Sequence, residues 1–155
     1  MSKSEWNIPL VLKRMIECLL WPGGLLVIAM PFIWLFGPQA VKDFFAGHTP
    51  TQWVTYVFLQ ISSIICWFIL FYLWWLLTTT IKFSPFVVDN VKYLKIISYN
   101  CAFAAIVLLV KTFVDFSAMT PVVAILALLS SLFCQTLAAV FDKAIRIKDE
   151  NDLTI

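Results

Sequence analysis

The stretch WVTYVFLQISSIICWFILFYLWWLL, residues 53 to 77, carries no charged side chain. As a helix rising ~1.5 Å per residue it reaches about 37 Å, more than the ~30 Å hydrocarbon core of a bilayer. It lacks the strict alternation of a lipid-facing barrel strand, so it reads as a membrane-spanning helix. Three further apolar runs of similar length follow the same logic, at about residues 15–36, 93–114 and 119–141. The whole chain is 62% hydrophobic and 13% charged, with a mean hydropathy of +0.93. A soluble domain carries about twice that share of charge, so lipid is the solvent for most of this surface. Seven tryptophans suit a protein with two membrane interfaces to line.

Charge placement orients the spans. Lys3, Lys13, Arg14, Lys82, Lys92, Lys95, Lys143, Arg146 and Lys148 flank one side, and only Lys42 and Lys111 fall toward the other. Basic residues accumulate on the cytoplasmic side, so both termini and the loop between spans two and three are expected there. The fold class expected is an all-α membrane protein, a four-helix transmembrane bundle in one domain over residues 1–155, with a cytoplasmic tail at 142–155. The first run exceeds a signal-peptide core, and FGPQA is a poor cleavage site, so the chain is expected to keep it. GPQAVKDFFAGHTPTQ, residues 37 to 52, forms the outer loop, broken by Gly and Pro at both ends. The short DFSAMTP connection makes spans three and four antiparallel neighbours, and Pro121 fits the first turn of the fourth.

Several residues interrupt the lipid-facing pattern. Pro22 and Pro31 remove helical hydrogen bonds from the first span and predict a kink, with neighbouring helices supplying partners for the freed carbonyls. Gly23 and Gly24 admit a close neighbour. Packing and hinge readings of this break both stand at this level. Asn100 and Gln135 lie at similar depth on adjacent spans, which predicts a mutual hydrogen bond in place of a ligand contact. Lys111 and Asp115 share a helix face near the outer end and are placed to pair. Glu17 lies one turn inside the inner interface, within reach of Lys13 or Arg14. Gln60 is the one amide of the second span. None of these charges is central in a span, which argues against an ion or proton path.

Catalytic patterns fail to assemble. HExxH, GxSxG and P-loop motifs are missing from the sequence, and His48, the single histidine, has only Asp43 nearby. Cys18, Cys66, Cys101 and Cys134 fall one per span and read as buried free thiols. The expectation is a non-enzymatic protein with no metal, no cofactor and no direct nucleic-acid binding.

Two stretches on the cytoplasmic side stand apart: FSPFVVDNVKYLKIISYN, residues 83 to 100, and AIRIKDENDLTI, residues 144 to 155. In the first, Asp89 or Asn90 is placed to cap the third span, ahead of Val91, Leu94 and Ile97 at helical spacing. In the second, Asp149, Glu150, Asn151 and Asp152 reverse the charge sign beside an anionic membrane surface that repels them. Leu153, Thr154 and Ile155 alternate as a strand does, a form suited to adding to a sheet edge, in cis or on a partner. Together the two stretches, through Phe86, Asn90, Val91, Leu94 and Lys95 and through Glu150 to Ile155, resemble the domain of unknown function 2975 family of small four-span bacterial membrane proteins. The resemblance covers essentially the whole chain, with Ser98 standing where many members have glycine. It implies a multi-pass protein of the bacterial inner membrane, often encoded beside a small helix-turn-helix protein. The functional expectation is therefore a membrane partner or sequestering factor for such a regulator, with Asp149 to Ile155, Phe86 and Asn90 as the partner-binding residues. The runner-up is a transporter-like or immunity protein whose cavity is lined by the kinked first span, Asn100 and Gln135. Membrane lipids are expected neighbours, and the small apolar bundle leaves homo-oligomers open.

Overall fold

The computed structural model describes residues 7–46, 52–82, 85–114 and 118–153. They form α1 (Asn7–Phe36), α2 (Gln39–Ala46), α3 (Gln52–Lys82), α4 (Val88–Val114) and α5 (Met119–Leu153). Four of these, α1, α3, α4 and α5, are long and apolar enough to cross a membrane. The described residues contain no strand. His48, Asp115, Thr154 and Ile155 lie outside them, and with Asp115 the expected Lys111 pair.

Each span runs past the limits read from hydropathy. α1 starts well before residue 15, α3 extends to Lys82, and α5 continues through the charged residues after Phe141. Hydropathy marks only the part of a helix in contact with lipid; i,i+4 pairs such as Arg146–Asp142 at 3.0 Å sustain helix beyond it. The tail is thus helical through Leu153, and the rest of the strand-like reading, Thr154 and Ile155, lies outside the described residues. The outer loop also holds a helix, α2, begun by Pro38: its carbonyl accepts from the N–H of Val41 and Lys42. Gly37 makes the corner between α1 and α2, where a Cβ would sit 2.2 Å from the Ile33 carbonyl oxygen.

Packing follows chain order. α1 lies on α3, α3 on α4, and α4 most extensively on α5, while among the described residues α1 makes no close backbone approach to α4 or α5. The bundle is therefore open. In its most apolar window only 6% of α1 is buried, against 28% for α4. Many large apolar side chains of α1 and α5 are exposed, where lipid would meet them.

The α4–α5 seam is built from small residues. Val91, Ser98 and Ala105 on α4 and Ala124, Ser131 and Ala138 on α5 are all buried and recur every seven positions. That period gives the slow left-handed crossing of coiled-coil-like pairs, and small side chains let the backbones close. Ser98, 1% exposed, donates or accepts with Ser131 Oγ at 3.1 Å and bonds the Ser131 carbonyl at 2.9 Å. The serine thus adds a bond across a seam where glycine would add only proximity.

This pair takes the place expected of Asn100 and Gln135. The Asn100 amide donates to the Ile96 carbonyl of its own helix at 2.9 Å, and Gln135 is exposed. Neighbouring helices fix which faces meet, and these two amides lie off the shared seam. The cysteines also divide: Cys101 is buried, but Cys18 and Cys66 are exposed, because they sit on faces of α1 and α3 that no helix covers.

The α1–α3 seam works differently. Gln60, Trp67 and Trp74 on α3, again seven apart, each aim an N–H at α1. Gln60 Nε2 donates to the Val27 carbonyl at 3.1 Å, and Trp67 Nε1 to the Leu20 carbonyl at 3.2 Å. Trp74 Nε1 donates to Glu17 Oε1 at 3.0 Å. Val27 is the residue whose helical donor Pro31 lacks, four positions on, so Gln60 supplies the missing bond. Gly24 is what admits Trp67: a Cβ there would lie 2.8 Å from its indole nitrogen. The close neighbour at Gly24 is thus a side chain.

Candidate functional site

The two stretches that stood apart in sequence meet at one end of the bundle. That end gathers the start of α1, the end of α3, the start of α4 and the end of α5, as the Glu17–Trp74, Thr79–Asn90 and Phe86–Phe141 contacts require. Its apolar centre is Val91, Leu94 and Ala138, with Leu76, Leu137, Phe141 and Ile145 packed around them. Phe86 sets its ring edge-on to Phe141, with centroids 5.4 Å apart, and remains half exposed. The α3–α4 connection and the root of the tail therefore form one packed unit.

Asn90 locks it. The side chain is 0% exposed and lies in the first turn of α4, which starts at Val88; it is not the cap that its position suggested. Its Nδ2 donates to the Pro85 carbonyl at 3.0 Å and to Thr80 Oγ1 at 3.2 Å. Its Oδ1 accepts from Thr79 Oγ1. Thr80 passes its own proton to the Leu76 carbonyl at 2.8 Å, so each group of the relay has a partner. An amide is the one side chain with both donors and an acceptor fit for this three-way tie. Being buried, Asn90 holds the junction in shape and does not itself face outward.

Beyond the junction α5 projects. From Phe141 to Leu153 it advances about 18 Å along its axis. Lys143, Arg146, Ile147, Lys148, Asp149, Glu150 and Asn151 are exposed on this segment. Ile147, 49% exposed, shares a face with Glu150 and Asn151 at helical spacing. The basic residues come first and the acidic ones last. The last turn holds no basic residue, so the carbonyl end of the helix, already partly negative, carries Glu150 as well.

Of the sequence candidates, the geometry unites Phe86 and Asn90 with the root of the tail and puts Asp149, Glu150 and Asn151 on the projecting helix. Asp152 and Leu153 follow on the same helix. Lys111, Asn100 and Gln135 are not part of this end. Sequence reasoning set Ile145 on one side of the helix with Phe141, where both pack inward, but missed Ile147, which faces outward. It also missed the seven-residue spacing of Gln60, Trp67 and Trp74, a signal that was present in the letters.

A comparison with curated proteins found no match, and a comparison with solved structures found none. A family model does match, over residues 39–155; it takes in α2 to α5 and the junction just described, and leaves α1 outside. The chain belongs to the family described as "Protein of unknown function (DUF2975)", a multi-pass membrane protein by its four spans.

Proposed function

We propose that this is a non-enzymatic protein of the bacterial inner membrane whose α3–α4 connection and α5 end form a cytoplasmic docking platform for a small helix-turn-helix regulator. The observation that carries this reading is the charge at the end of α5. Asp149 and Glu150 stand in the final turns of the helix, where its dipole disfavours negative charge. A cationic partner surface relieves both the dipole and the mutual repulsion. DNA-binding proteins carry such a surface, because it is how they hold phosphates. A regulator held here through its basic face is withheld from DNA. Exposed Ile147 supplies an apolar anchor beside the acids, and the Asn90 relay keeps the platform rigid.

The test places a photo-crosslinking amino acid at Ile147 in cells and identifies the captured protein by mass spectrometry. The expected product is a helix-turn-helix protein whose capture is lost when the chain ends at Lys148 and is competed by duplex DNA. Capture that survives truncation, at equal abundance of the two chains, refutes the platform. So does unchanged DNA occupancy of the regulator on deleting this protein.

A further inference from the structure

Between α1 and α3 lies a cavity of about 600 Å³, distinct from the platform. Trp21, Leu25 and Ile28 of α1 face Trp67, Phe71 and Trp74 of α3 across it, and Glu17 closes one end. Gly24 deepens the floor, since Trp67 occupies the space a Cβ there would take. We infer that this groove binds an anionic phospholipid, one acyl chain lying in the cavity and the headgroup phosphate resting at Lys13 and Arg14.

Three observations select this occupant. The first is depth. Glu17 to Ile28 spans about 16 Å of helix, close to half of a ~30 Å hydrocarbon core. The groove therefore covers one leaflet, from the charged interface to the bilayer centre, which is the reach of one acyl chain. The second is the chemistry of the lining. Trp67 spends its N–H on the Leu20 carbonyl and Trp74 spends its own on Glu17, so below the mouth the walls present apolar surface, suited to methylenes.

The third is charge at the mouth. Glu17 takes Lys13 at 3.9 Å and Arg14 at 3.4 Å, two cations against one carboxylate, leaving a positive excess. The Lys13 ammonium also lies 5.4 Å from the Trp74 ring centroid, so the aromatic face that would attract a cationic ligand already holds the protein's own cation. An anionic headgroup meets attraction there; a lipophilic cation meets repulsion. Since the family match begins at residue 39, half of this site lies outside the matched region.

The test is native mass spectrometry of the full-length protein, titrated in mild detergent with dioleoylphosphatidylglycerol and, separately, dioleoylphosphatidylcholine. One phosphatidylglycerol is expected to bind at least several-fold more tightly than phosphatidylcholine. Lys13→Gln and Arg14→Gln should each weaken it about fivefold, the usual worth of one cation near a lipid phosphate. Glu17→Gln keeps an oxygen for Trp74 but removes the opposing charge, so it should tighten binding about fivefold. Leu25→Trp, which fills the groove from its rim, should abolish the adduct without lowering the melting temperature. Equal binding of the two lipids, weaker binding in Glu17→Gln, or an adduct that survives Leu25→Trp would each overturn the site. So would competition by tetraphenylphosphonium, which would make it a cation site, or a dimer that Leu25→Trp dissociates.

Discussion

Replacing Asn90 with alanine tests the central claim about the α3–α4 junction. The change removes the donors to Pro85 and Thr80 and the acceptor for Thr79. Thr79 and Thr80 keep partners, because their hydroxyls also reach carbonyls of their own helix, Trp75 and Leu76 for the first and Leu76 for the second. The Pro85 carbonyl loses this donor. A net hydrogen bond is worth about 0.5–1.5 kcal/mol, and leaving a buried group unpaired costs about 1–3 kcal/mol. With the void left by the amide, Asn90→Ala should cost about 2–4 kcal/mol. Thr80→Val removes the bonds of its hydroxyl to Asn90 and to the Leu76 carbonyl while Asn90 keeps its hold on Pro85, and should cost about 1–2 kcal/mol. The two losses overlap on the same bond, so the double variant should cost less than their sum. Asn90→Asp should not rescue, since a carboxylate brings no donor to Pro85. Unfolding in mixed micelles, followed by tryptophan fluorescence, measures all four chains. If Asn90→Ala costs under about 0.5 kcal/mol, the relay is not what fixes the α3–α4 junction.

The α1–α3 seam gives a sharper double test. Gln60→Leu should cost about 0.6–2 kcal/mol, and Pro31→Ala, which restores the N–H that Val27 lacks, should make the same substitution nearly neutral; thermal melts of the four chains decide it. Gly24→Ala brings a Cβ to 2.8 Å from Trp67 Nε1 and should cost about 1–3 kcal/mol by overpacking, with most of the loss absent when Trp67 is already phenylalanine. Ser98→Gly should cost about 1 kcal/mol, two modest bonds without loss of proximity, whereas Ser98→Leu should separate α4 from α5 and be read as loss of a cysteine crosslink between Cys-substituted Ala105 and Ala124.

Legibility followed the range of the forces involved. The four spans could be read because lipid acts on each segment separately: a run such as residues 53–77 must be helical in hydrocarbon whatever its neighbours do. Glu17 with Lys13 and Arg14 was legible for a similar reason, since i,i+3 and i,i+4 pairs are local. The fate of the freed carbonyls in α1 was legible only in kind. Pro31 announced that Val27 would need a donor, but nothing near it in the chain pointed to Gln60, thirty-three residues on.

What tertiary structure alone decided is which face of each helix meets another. Asn100 and Gln135 matched in depth yet not in azimuth, and azimuth is set by the small-residue seams of Ser98, Ser131 and their seven-residue neighbours. The same choice brought Phe86 to Phe141 and buried Asn90, turning two separate stretches of sequence into one packed unit. In lipid no difference in hydrophobicity tells a helix which side to bury. The sequence determined that this protein crosses the membrane four times; packing geometry determined which of its residues meet.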